Sequence, residues 1–236
     1  MSKRAIVWAA VMASVTGLLG TAQGQVRITE FMSEGQGDID SGNGGRRQRE
    51  FFELTNLGSA PVDISGWTYN DNNTNDPLAF GASFGTIQAG ESIVLTQMTA
   101  DAFRTYWGLG SSVRVFSIGG SSNLGNADTI NIYNSTLQDS STLVDSVTYT
   151  SDARGSGVSR NRPLGGTGQS PNSAWVTSFV GDVYGSFLAP NAVGFPPSYP
   201  NPDNYRDLAN PGSYIPAPGA ACALALMGVA GLRRRR

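Results

Sequence analysis

From Val26 to Thr150 the chain is a succession of short runs in which apolar and polar residues alternate, each bounded by Gly, Asn, Ser or Asp. The runs are VRITEF (26–31), EFFELTN (50–56), VDISGWTYN (62–70), ESIVLTQ (91–97), VRVFSI (113–118), DTINIYN (128–134) and TLVDSVTYT (142–150). Their Val, Ile, Thr, Phe and Tyr recur at a period near two, the pattern of strands with one buried face. A sheet with one apolar face must cover it, so the seven runs predict an all-β sandwich. In DTINIYN, Ile130 and Ile132 share a face. In TLVDSVTYT the set Leu143, Asp145, Val147 and Tyr149 opposes Val144, Ser146 and Thr148, and the carboxylate leaves the inward face open.

One short helix is predicted. Thr99 can cap it, Asp101 suits its positive end, Ala102, Phe103, Tyr106 and Trp107 form an apolar stripe, and Gly108 stops it. Such a stripe reads as a lid over the sandwich core.

Both ends have their own character. Met1 to Arg4 is basic, Ala5 to Gly20 is apolar, and Ala22-Gln23-Gly24 supplies small residues, which predicts a secretory signal over 1–24 cut at Gly24 and Gln25. The sandwich is expected over 26–189. Residues 190–215 carry too many prolines for a central strand or a helix, and read as a stretch that either wraps the domain or spaces it from the tail. The chain then closes with PAPGAACALALMGVAGLRRRR (216–236). Its uncharged block, Gly219 to Leu232, would rise roughly 21 Å as a helix, short of a hydrocarbon core of about 30 Å.

Composition excludes several chemistries. Setting aside Lys3, Arg4 and Arg233 to Arg236 leaves ten of the 16 cations against 18 carboxylates, about −8 for the exported body. That balance opposes the counterion-release attraction behind nucleic-acid binding. The single cysteine, Cys222, lies in the tail, so no intrachain disulfide forms. With no histidine in the chain, Ser-His-Asp, Cys-His and histidine-zinc sites are all ruled out.

Three polar clusters are candidate sites. In NDNNTNDP (70–77), Asp71, Asn73 and Asn75 sit at alternate positions like the first oxygen ligands of a calcium loop, with Asp76 adding charge. An EF-hand would have Gly where Asp76 stands and Glu where Ala82 stands, so a plain turn and a weak calcium site both stay open. Arg46, Arg47 and Arg49 close the glycine-rich segment 33–50, a basic cluster that reads as a solvated loop. Glu30 and Glu53 would approach one another if their strands pair; hydrogen bonding within the fold is the favoured role, and paired-carboxylate hydrolysis the other.

The series ITEF (28–31), EFFELTN (50–56), VDISGW (62–67), an apolar strand after Ala89-Gly90, and VDSVTY (144–149) resembles the lamin tail domain family. AWVTSFVGDVYGS and LANPGSY look like the closing part of bacterial members, which would extend the resemblance over 26–214. It implies an immunoglobulin-like sandwich used as a structural or binding module. Bottom-up, Gly66 permits a tight entry into a strand and Trp67 is a large plug for a two-sheet core.

The tail resembles the PEP-CTERM sorting signal, with Pro216-Ala217-Pro218 in place of Pro-Glu-Pro, a short apolar sorting helix, and Arg233, Arg234, Arg235 and Arg236 at the end. This implies transient insertion in the inner membrane and removal of the tail by an exosortase-type enzyme, after signal peptidase has cut the other end. The expected protein is then a cofactor-free, non-catalytic structural or adhesive module at the cell surface or in the extracellular matrix of a Gram-negative-type bacterium. The alternative is a module for extracellular polysaccharide, calcium-assisted through Asp71 and its neighbours, with surface proteins as further partners and nucleic acid excluded.

Overall fold

Local alternation becomes two sheets. The computed structural model describes residues 26–35, 49–71, 77–119, 124–125, 127–151, 157–165, 175–191 and 206–214. A six-stranded sheet has the order β12 (Val176–Thr177), β11 (Arg160–Asn161), β1 (Val26–Met32), β2 (Phe51–Asn56), β7 (Ser92–Thr96), β8 (Arg114–Ser117). A four-stranded sheet has the order β10 (Leu143–Tyr149), β9 (Asp128–Tyr133), β4 (Thr68–Asn70), β5 (Leu78–Ala79). Two small ribbons pair β3 (Val62–Asp63) with β6 (Thr86–Ile87), and β13 (Phe187–Leu188) with β14 (Leu208–Ala209). The strands pair antiparallel except β7 and β8, whose parallel pairing requires a crossover. The helix α1 (Ala100–Trp107) supplies it.

The first core lies between the sheets. Ile28, Phe52, Leu54, Ile93 and Leu95 from the larger sheet meet Tyr69, Ile130, Ile132 and Val147 from the smaller, with Trp67 buried among them. The architecture is thus the all-β sandwich with one short helix that alternation and capping predict, of the immunoglobulin-like kind that the resemblance implies. The run 62–70 does not form one strand. Gly66, at φ +81, turns the chain between β3 and β4, and the two halves join different sheets.

A second core covers the opposite face of the larger sheet. Met32, Phe51, Val94 and Val115 pack there against Phe103, Tyr106 and Trp107 of α1. This corrects the expected lid: the crossover between parallel neighbours puts the helix on the outer face of one sheet, not over the core between two. The caps are those read from the sequence, with Thr99 accepting from the Ala102 N–H and Gly108 closing the helix at φ 65. Covered on both sides, β2 and β7 are buried at every position.

Of the Pro-rich closing stretch, residues 190–191 and 206–214 are described, and 206–214 pack on the domain where a spacer would leave it. They return to the same outer face, beside α1, where β14 pairs with β13 and Ala209 joins the second core.

Candidate functional site

Polar residues of the motifs converge under that return. In the β1–β2 ladder Glu30 stands directly opposite Glu53, and both are fully buried. Three hydroxyls reach Oε1 of Glu53: Thr29 at 2.6 Å, and Thr55 and Ser92 at 3.2 Å each. Two backbone N–H groups, of Gly212 at 2.7 Å and Ser213 at 3.1 Å, donate to its Oε2. Oε1 of Glu30 accepts from the Ser159 hydroxyl at 2.5 Å and the Asn210 N–H at 2.9 Å. Its Oε2 is buried and finds no donor among the described residues.

The asymmetry decides where the charge resides. Burial raises both carboxyls, since a desolvated carboxylate is costly. For Glu30 the neighbouring Glu53 adds to burial, outweighing Ser159 and Asn210, and carries it up to about 8. Glu53 is raised by burial against a larger set of donors that favour its ionised form. The donors gathered on Glu53 thus favour the charge there, and the sparser donors on Glu30 favour the proton there.

The pair fastens the C-terminal return. Gly212 sits at φ +83, and a Cβ there would lie 2.6 Å from Cγ1 of Val113, so only glycine brings its N–H down to Glu53. Next to it, Arg49 forms an ion pair with Asp207 at 3.4 Å and donates to the Tyr106 hydroxyl at 3.0 Å, which donates to Asp207 at 2.9 Å. Gly35 packs so closely on this group that a Cβ would meet Arg49 Nε at 2.8 Å and Asp207 Oδ2 at 2.9 Å. Arg49 is therefore not part of a solvated basic loop: its partner Asp207 lies on the distant return, where inspection of segment 33–50 could not find it. Arg46 and Arg47 lie outside the described residues.

A second polar stitch joins the sheets. Asp145 faces inward because β10 shifts register between Leu143 and Asp145. Its Oδ2 accepts from the Ile28 N–H at 2.9 Å and from Arg162 Nη2 at 2.5 Å. Arg162 is fully buried, donates from Nε to the Ile28 carbonyl at 2.7 Å, and lies 5.7 Å from the Trp175 ring centroid. Burial still raises the Asp145 carboxyl, with Arg162 the strongest opposing influence. Nothing in the local sequence singled out Arg162, Ser159 or Asp207, because each finds its carboxylate or phenol on a remote strand or helix.

Of the calcium candidates, Asp71 follows β4, while Asn73, Asn75 and Asp76 lie outside the described residues. So do Gly24, Gln25, the Pro216-Ala217-Pro218 stretch and Arg233 to Arg236. Among the described residues, no three acidic, Cys or His groups gather as a metal site, and no helix is long and apolar enough to cross a membrane.

The polar motif residues thus occupy structural positions. Glu50 accepts from Gln97 at 2.9 Å and the Leu124 N–H at 2.7 Å, and Asn56 organises its turn by bonding Gly58, Ala60 and Ile87. Comparison with known proteins finds a match to the Lamin Tail Domain over residues 20–151, which contains these motifs but stops short of the closing return. No curated protein matches the chain. With the match covering more than half of its length, the chain belongs to the lamin tail domain family.

Proposed function

We propose that the protein is an exported, surface-sorted structural or adhesive module, without catalytic activity, built on its lamin-tail sandwich. The observation that carries this reading is the fate of the motif side chains: Glu30, Glu50, Glu53, Asn56 and Asp145 are buried and engaged in holding backbone or neighbouring side chains. Function then belongs to the surface and to the two ends. Signal peptidase would remove 1–24, and an exosortase-type enzyme would act at Pro216 to Pro218 once the apolar block has entered the inner membrane, with the four arginines retained on the cytoplasmic side.

The polysaccharide-binding alternative needs exposed Trp or Tyr faces for sugar rings to stack on. Trp67, Trp107 and Trp175, the described tryptophans, are buried, which favours the structural reading. The test is fractionation of native cells with intact mass and mapping of both ends. A body starting near Gln25 and ending near Pro218, found outside the cytoplasm, is expected; a chain still carrying Arg236 in the inner membrane would contradict it.

A further inference from the structure

We infer that the loop from Phe179 to Ser186 docks on a lipid surface, namely the bilayer that receives the C-terminal apolar block; the inference rests on the proposed membrane insertion of that block. Phe179, Val180 and Val183 are 59 %, 65 % and 65 % exposed, and three of the four large exposed apolar side chains of the described chain lie in this one loop. Isolated apolar residues at a surface are ordinary, but a cluster on one loop marks an interaction site.

The loop is built to keep them outward. Asp182 accepts through Oδ1 from the Tyr184 and Ser186 N–H groups at 3.0 Å each, and through Oδ2 from the Phe179 N–H at 3.1 Å. Tyr184 and Ser186 turn inward and are buried, so alternate residues anchor the loop while the others face solvent. Asp182 is also the only charged residue between Trp175 and Asn191, and its carboxylate is directed into the loop's own backbone. The outward surface is therefore apolar and uncharged, which suits the acyl-headgroup boundary.

Position selects lipid over a protein partner. The loop leads into β13, which pairs with β14 on the return, and Ser186 Oγ lies 3.3 Å from Asn210 Oδ1. The described residues end just beyond, at Tyr214, whose hydroxyl bonds the Pro163 carbonyl at 3.2 Å. From Tyr214 to Gly219, where the uncharged block begins, an extended chain spans at most about 18 Å. A membrane that holds Gly219 to Leu232 must then lie close to the face bearing the return and this loop.

The experiment uses the chain from Gln25 to Arg236, free of the apolar run Ala5 to Gly20, and its Phe179→Trp variant, mixed with phosphatidylcholine vesicles with and without brominated acyl chains. Flotation reports the tail; bromolipid quenching above the wild-type tryptophan background reports the loop. The expected result is flotation of both proteins, with an added quenching of about twofold in the variant. That quenching is lost, and flotation kept, when Val180→Asp and Val183→Asp are added. Flotation without added quenching would overturn the loop assignment and leave the tail reading standing. If the introduced indole stays unquenched while its emission shifts blue with protein concentration, the loop belongs to a contact with a second copy, and the inference is again overturned. Absence of flotation would refute the tail reading and this inference with it.

Discussion

Replacing Glu30 by Gln is expected to leave stability unchanged at about pH 4 and to raise it above the parent's at about pH 9. The reasoning runs through one proton. Glu30 is carried from 4.5 up to about 8 by burial and by Glu53, so the native state binds its proton more tightly than the unfolded chain does. A carboxyl raised in the native state contributes its full stabilisation below the unfolded value. The contribution declines as pH rises between 4.5 and about 8, and is gone above. At about 1.4 kcal/mol for each tenfold change in proton affinity, the whole effect is on the order of 5 kcal/mol. Gln mimics the protonated acid: its oxygen keeps the Ser159 and Asn210 donors, and its NH₂ replaces an oxygen that accepts from none of the described residues. The cost at about pH 4 is then within about 1 kcal/mol. Urea unfolding followed by the fluorescence of Trp67, Trp107 and Trp175, all buried, measures both arms. A loss of more than about 3 kcal/mol at the lower pH, or a variant with the parent's full alkaline decline, would refute the single-proton assignment.

Three other substitutions probe the stitches around the pair. Arg162→Met leaves Asp145 buried without its cation and is expected to cost about 3–5 kcal/mol, much of it recovered by adding Asp145→Asn; a double-mutant cycle measured by urea unfolding tests the coupling. Gly212→Ala, at φ +83 and against Val113, should cost about 2 kcal/mol in the same assay, and Val113→Ala should restore only part because the backbone strain remains. Thr99→Ala removes the cap bonded to the Ala102 N–H and should lower stability by about 1 kcal/mol, read as a fall in Tm.

What could be read from the sequence was what is local. Alternation located β1, β2, β7, β8, β9 and β10, and the cap residues located α1, because period and capping are written in neighbouring residues. The two-residue strands β5, β6, β11, β13 and β14 were not legible. A pair such as Arg160–Asn161 shows no alternation and becomes a strand only through its ladder to β1. The same limit governs the polar residues. Glu30 and Glu53 could be suspected of meeting because both lie on strands adjacent in sequence order, whereas the five hydroxyl and amide donors to Glu53 come from three strands and the distant return. Asp145 was ambiguous for a related reason: a bulge in β10, invisible to a strict period of two, turns it inward to a partner, Arg162, that no motif announces.

The central claim is that the buried carboxylates make the C-terminal return part of the folded domain. Amide hydrogen exchange at Gly212 and Ser213, whose N–H groups donate to Glu53, tests it most directly. The account expects both amides to exchange only through opening of the whole domain, and to lose that protection in Glu53→Gln while the amides of β9 keep theirs. Exchange at the rate of an open loop in the parent protein would contradict it.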